Sequence, residues 1–159
     1  MIESSRMMKN QKPIRNSVKA IIRKDDAILL VRKSDESGDY YIFPGGGQDK
    51  CEDMISTLKR ECREEIASEV IVNDLVLMRE YIGKNHEFAS TDSDIHQVEF
   101  YFDCQLADGA IPQNGPSIDD GQISVDWVSF KDFDRLRIYP QALRRELWAP
   151  KKTYCGDIN

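Results

Sequence analysis

The sequence predicts an α/β fold in which a twisted mixed sheet lies between helices. Three observations point there. Runs rich in β-branched and apolar residues recur at 16–23, 27–32, 69–82, 97–106 and 123–130. One long stretch between them, 45–70, carries helical rather than strand periodicity. Two shorter helical patterns, 131–136 and 140–147, follow the last strand. Strands interrupted by one central helix and closed by others suit a sheet layered between helices. A chain of 159 residues fits one domain that can bury a core unaided, with 1–15 and 150–159 read as tails.

Taken in order, 16–23 and 27–32 are strands joined by an Asp25-Asp26 turn, which makes a hairpin. Residues 34–39 (SDESGD) are loop by composition. A short aromatic strand, 40–43, ends at Pro44 and the glycines Gly45–Gly47. Proline and glycines there oppose regular structure and leave backbone groups free to face a ligand. Asp53 is a good N-cap for a helix over 54–67. The run 69–82 reads as one or two strands with a break near Asn73-Asp74. Residues 83–94 form a polar loop long enough to be functional. After the strand 97–106, the glycines and prolines of 108–121 make that segment irregular. Pro140 suits the first turn of the last helix.

The central helix is the informative element. At ~100° per residue, Ile55, Leu58, Cys62 and Ile66 share an arc of about 80°, a core-facing stripe. Glu61, Glu64 and Glu65 crowd the neighbouring arc. Like charges at those spacings destabilise a helix by a few tenths of a kcal/mol per pair, about as much as opposite charges help. A hard divalent cation with oxygen ligands would offset the repulsion; a solvated acidic face is the plainer reading of three bare glutamates. The surroundings decide between them. Gly46, Glu52, Arg60, Glu61, Glu64 and Glu65 stand at the spacing G-x5-E-x7-R-E-x-x-E-E, preceded by Phe43-Pro44-Gly45. With these residues the stretch resembles the signature of the Nudix (MutT-type) hydrolases. The segments AILLVRK, YIFPGG and DWVSF agree, so the resemblance spans about 17–147. Two positions depart from it: Ala67-Ser68 stand where the family has glycine and an aliphatic residue, and Cys51 where it has glycine.

The resemblance implies a Nudix-type α/β/α sandwich. It also implies hydrolysis of a diphosphate linkage in a nucleoside di- or triphosphate derivative, with water attacking phosphorus. The residues lead to a similar place. An acidic patch repels a diphosphate unless cations intervene, and Mg²⁺ bridges carboxylates and phosphates while lowering the pKa of bound water. Mn²⁺ is the substitute cation. By resemblance, Glu61, Glu64 and Glu65 bind metal with a carbonyl near Gly45 or Gly46, and Glu52 and Arg60 brace the loop against the helix. Arginine suits that task because it grips a carboxylate through two parallel hydrogen bonds. The general base is either a glutamate of the signature or a distant acid: Asp126 or Glu99 on strands, Asp92 or Asp94 in a loop. A plain strand acid facing solvent is the alternative for Asp126 and Glu99. Arg32, Tyr41 and Phe43 are candidates for substrate contact, as are Tyr40 and Lys33, although aromatic strand residues more often belong to a core. The competing function is a non-catalytic nucleotide-binding or regulatory module on the same fold. The full set of carboxylates argues against it.

Net charge of −6 speaks against a nucleic-acid surface. No apolar run approaches the ~20 residues of a membrane span, and the polar, basic amino end has no apolar signal core. The cysteines Cys51, Cys62, Cys104 and Cys155 form no CxxC pair, and His86 and His96 have no cysteine nearby, so zinc is not expected. Cys62 reads as a buried small hydrophobe. A reducing cytoplasm is the default compartment. Homodimers are common in the family, and the sequence leaves that open here, as it does the identity of the nucleotide derivative.

Overall fold

Two half-sheets that share one strand frame the protein. The computed structural model describes residues 12–159; the tail expected at 1–11 lies outside them. Strand β1 (Arg15–Lys24) turns through Asp25, at a φ of 53°, into β2 (Ala27–Asp35). The expected hairpin forms, but it is paired only at its tight end, Arg23 opposite Ile28 and Lys24 opposite Ala27. Beyond it the strands splay, and each founds a half-sheet. β2 lies antiparallel between β3 (Gly38–Ile42) and β7 (Gln122–Ser129). β1 lies between β4 (Gly45–Gly47), antiparallel, and β6 (His96–Leu106), parallel. β5 (Val70–Ile82) pairs with β6, and β8 (Tyr154–Asp157) runs parallel to β5 at the edge.

This is the mixed α/β architecture expected, with four local corrections. Gly45–Gly47 is a short strand rather than irregular, because Ser17, Val18 and Lys19 of β1 pair with it. The break near Asn73-Asp74 is a pair of register shifts within one strand, β5. The segments 131–136 and 140–147 are not α-helices; only the 3-10 turns Phe130–Asp132 and Gln141–Leu143 form. Their buried residues Phe133, Ile138, Leu143 and Leu147 are spaced four or five apart. The chain therefore lies along the sheet and dips an apolar side chain at intervals close enough to a helical repeat to resemble one in sequence. Finally, 150–159 is no tail, since it contains β8.

Helix α1 (Met54–Ile66) covers one face. Asp53 caps it, accepting from the Ser56 amide at 2.9 Å and the Ser56 hydroxyl at 2.8 Å. Its buried residues are Thr57, Leu58, Cys62, Glu65 and Ile66. Ile55 is 45% exposed, so the core stripe runs through Leu58, Cys62 and Ile66 with Glu65 inside it. This stripe meets Val18, Ala20, Ile22, Leu29 and Val31 from the two half-sheets. A second core on the opposite face gathers Ile21, Ile28, Leu30, Phe43 and Tyr101 with the four dipping residues.

The end of α1 is capped from a distance. Ala67 adopts the left-handed conformation at φ 52°, where glycine would be free of strain. The irregular 108–121 segment then satisfies the helix's last carbonyls. The amides of Gln113, Gly115 and Ser117 donate to Ile66, Glu65 and Glu64 at 3.1, 3.2 and 3.0 Å. Among the described residues no helix is long and apolar enough to cross a membrane.

Under β5 and β6 lies a buried ion pair. Arg79 Nε donates to Glu99 Oε2 at 2.6 Å, and the Tyr101 hydroxyl donates to the same oxygen at 2.7 Å. Replacing Arg79 by Met strands an uncompensated carboxylate, so the urea midpoint should fall by the equivalent of about 3–5 kcal/mol. The double variant Arg79→Met/Glu99→Leu should recover most of that loss.

Candidate active site

The site grows from the junction of β4 and α1. Gly45 has a φ of +137°, and a Cβ there would lie 2.0 Å from the Val18 carbonyl oxygen, so only glycine fits. Its amide donates to Glu65 Oε2 at 3.2 Å. A Cβ on Gly46 would meet the Glu61 carboxylate at 2.5 Å, so that carboxylate rests directly against the glycine backbone. Glu61 and Glu65 thus both face the glycine strand.

Arg60 joins the remaining pieces. Its Nε and Nη2 grip Glu52 through both carboxylate oxygens, at 3.0 and 3.1 Å. Nη2 also donates to the Gly47 carbonyl at 3.3 Å, and Nη1 to Glu61 at 2.8 Å and Glu64 at 3.2 Å. Hydrogen bonding to Arg60 holds Glu52 below the usual carboxylate range, and Glu52 in turn raises the Arg60 pKa.

The glutamates are not equivalent. Burial pushes Glu61 up against the opposing pull of Arg60. Glu65 is 1% exposed. Its burial pushes the carboxyl up to about 7, opposed by Lys19 and the Gly45 amide. Glu65 Oε1 is buried with no hydrogen-bond partner among the described residues. An orphaned carboxylate oxygen within reach of the Glu61 charge, on a helix that also carries Glu64, offers oxygen donors, the type that fits a hard cation such as Mg²⁺. Among the described residues no three such side chains are already gathered as a metal cage; Glu61 and Glu64 meet at Arg60 Nη1.

The other candidates lie elsewhere. Glu99 is locked in the ion pair with Arg79. Asp126 accepts from the Ser124 hydroxyl at 3.1 Å, and its charge bears on Arg32 and Tyr41 rather than on the signature glutamates. Arg32 pairs with Asp39 on the surface. Phe43 is 1% exposed and packs edge-on against Tyr101. It belongs to the core and cannot stack on a ligand. Asp94 pairs with Lys12 at 2.6 Å. Asp92 accepts from the Tyr81 hydroxyl at 2.8 Å.

Asp119, Lys19 and Ile42 were missed, while Tyr40 was among the candidates. Asp119, on the loop that caps α1, lies near enough that its charge adds to the effect of burial on both Glu61 and Glu65. Lys19, opposite Gly45 on β1, acts on both Glu65 and Glu99. Tyr40 and Ile42, the alternate residues to Tyr41 and Phe43, line a cleft of about 350 Å³ where the half-sheets diverge, together with Phe88, Asp92, Gln97 and Tyr139. A larger cleft of about 910 Å³ lies on the outer side of the loop, against Arg15, Gln48 and Glu52; neither cleft is lined by Glu61, Glu64 or Glu65. Only an alternation argument on 40–43 could have identified the Tyr40 side from sequence.

A family model described as NUDIX domain matches residues 13–148. No curated protein matches the chain. Solved structures similar to it include a NUDIX hydrolase from Nitrosomonas europaea, 21% identical with a TM-score of 0.69 over 89% of this chain and 93% of that one. A MutT NUDIX hydrolase from Burkholderia pseudomallei is 19% identical, TM-score 0.64, over 88% and 100%. An ADP-ribose pyrophosphatase from Streptococcus suis is also 19% identical, TM-score 0.59, over 92% and 100%. At these identities the structural likeness establishes the fold.

The Glu65 carboxyl gives a pH test. Its folded pKa, raised from 4.5 to about 7, means the folded state holds the proton more tightly. That stabilisation is complete below about pH 4.5 and is lost as pH rises through about 7, a difference of about 3 kcal/mol. In EDTA, Glu65→Gln should therefore melt above the wild type at pH 8 and near it at pH 4.5. Added Mg²⁺ should raise the wild-type melting temperature at pH 8 and leave the variant unmoved.

Proposed function

The chain belongs to the Nudix hydrolase family, and on that basis we propose that it is a Mg²⁺-dependent pyrophosphohydrolase cleaving a diphosphate linkage in a nucleoside di- or triphosphate derivative. The observation that carries this reading is the approach of Glu61 and Glu65 to the glycine strand, with one Glu65 oxygen that no group among the described residues satisfies. Glu61, Glu64 and Glu65, with a Gly45 or Gly46 carbonyl, would hold the cation. When bound, it neutralises phosphate charge and makes hydroxide available near neutral pH; Mn²⁺ would substitute.

The protein's own groups do the rest. Arg60 fixes Glu61 and Glu64 at one nitrogen while gripping Glu52 and the Gly47 carbonyl, so loop and helix keep one geometry. The charge of Lys19 acts on both Glu65 at the acidic edge and Glu99 of the buried pair, and it would add to the cations that meet phosphate charge. Proton abstraction from the attacking water falls to a signature glutamate, because Glu99 is committed to Arg79 and Asp126 to its own neighbourhood. The cleft beside Tyr40, Phe88 and Tyr139 would take the nucleoside, whose ring can stack on aromatic faces. Small nucleotides rather than nucleic acids are the partners, in keeping with the net charge of −6, and the proposed compartment is the cytoplasm. The activity on ADP-ribose named for one similar structure is one candidate among these derivatives.

Release of phosphate or pyrophosphate from a nucleotide panel with Mg²⁺, with products followed in ¹⁸O-labelled water, tests the proposal and names the phosphorus attacked. Saturable binding without turnover of any member would favour a non-catalytic module. Glu64→Gln should lower turnover by roughly 10²-fold or more with an unchanged melting temperature, since it removes a cation-facing charge from a half-exposed position. Wild-type turnover in that variant would remove Glu64 from the site.

A further inference from the structure

The family model ends at residue 148, yet β8 beyond it reaches back to the cleft. Asp157 accepts from the Ile82 amide at 2.9 Å and bonds His86 Nε2 at 2.6 Å through one oxygen; through the other it accepts from Asn85 Nδ2 at 2.8 Å. Two residues on, Asn159 Nδ2 donates to Glu87 at 3.3 Å, and its Oδ1 accepts from Arg79 Nη1 at 3.1 Å. Of these partners Asn85, His86 and Glu87 lie in the short stretch that leads into the helix Ala89–Asp92, and Ile82 is the residue of β5 from which that stretch departs. That stretch is exposed at Lys84, Asn85, Glu87, Ser90 and Thr91, and its other holds are few: the Gly83 amide on the Ile95 carbonyl at 2.9 Å, the Tyr81 hydroxyl on Asp92, the Tyr81–His86 stack and the edge contact of Phe88 with Tyr139. Polar connections with few buried groups open easily unless something holds them. Yet this one supplies Phe88 and Asp92, the cleft wall opposite Tyr40 and Ile42.

We propose that Asp157 is a positioning residue that clamps the 83–92 segment so that Phe88 and Asp92 hold the nucleobase, and so sets which bases the cleft accepts. This rests on the reading that the cleft receives the nucleoside. Asp92 takes hydrogen bonds from the Tyr81 and Thr91 hydroxyls, and a carboxylate has lone pairs beyond those two. With the Gln97 amide beside it, the wall favours a ring edge that carries N–H donors, and a site built to pair such donors rejects rings that lack them. Asp157 makes no hydrogen bond or ion pair with Glu61, Glu64 or Glu65, so its removal should register in binding and selectivity rather than in the chemical step.

The test compares wild type, Asp157→Ala and Asp157→Asn of the whole chain on nucleoside triphosphates and nucleoside diphosphate derivatives carrying each of the common bases, with Mg²⁺. In Asp157→Ala, KM should rise about tenfold or more while kcat stays within about twofold, and the preference among bases should flatten. Hydrogen exchange should quicken at 83–92 and not in α1. Asp157→Asn keeps an oxygen for the Ile82 amide and should recover part of the loss. A fall in kcat at constant KM, exchange that quickens throughout the protein, or an unchanged order of preference would each overturn the proposal. If the wild type turns over none of these nucleotides, the functional reading fails separately, and exchange decides the clamp. Nucleotide-dependent protection of 83–92 in wild type but not in Asp157→Ala sustains it; none in wild type ends it.

Discussion

The site depends on one guanidinium. Three carboxylates within two turns of α1 repel one another, and Glu52 lies just ahead of the helix. Arg60 meets Glu52, Glu61 and Glu64 and the Gly47 carbonyl at once. A lysine has one point charge and could not span these directions, whereas the planar fork of arginine does so with fixed geometry and keeps its charge at any working pH. Removing that fork would release two tethers together, the loop from the helix and Glu61 from Glu64.

Glu65 sits outside this arrangement, which is why it behaves differently from its neighbours. It has moved from the acidic face into the apolar stripe, where the Gly45 amide is its one hydrogen-bond donor among the described residues. Residues one turn apart on the same helix therefore occupy a partly wet and a dry setting. Environment rather than residue type separates them.

The signature was legible because its meaning lies in spacing, and spacing survives without coordinates. So were the strands, whose β-branched runs declare themselves, and the N-cap at Asp53. What failed has identifiable causes. The run Tyr40–Phe43 is apolar on both sides, so alternation could not say which side faces the cleft; the candidates Tyr40, Tyr41 and Phe43 come from both, and only the side of Tyr40 and Ile42 lines it. The span from Lys131 to Leu147 buries residues at intervals that mimic helical patterning without forming a helix. β8 is four residues long and includes a glycine, too little to carry a period. Asp119 and Lys19 reach the site only through tertiary folding, far in sequence from the glutamates they influence. The two departures from glycine have a physical face as well. Cys51 and Ala67 both hold positive φ, at 69° and 52°, a conformation that costs an ordinary residue about 1–2 kcal/mol. At Ala67 the cost is borne by bonds around the helix end, the 108–121 segment among them.

The position of β1 settles which parts of the molecule can adapt. Ser17 and Lys19 are held by Gly47 and Gly45 on one side and by Glu99 and Tyr101 on the other, so the glycine strand cannot shift without dragging the central ladder with it. The acidic edge is in effect an anvil, stiff and fixed in height. What can change without disturbing it lies at the margins, in the 83–92 and 108–121 segments, which pair with neither β1 nor β4.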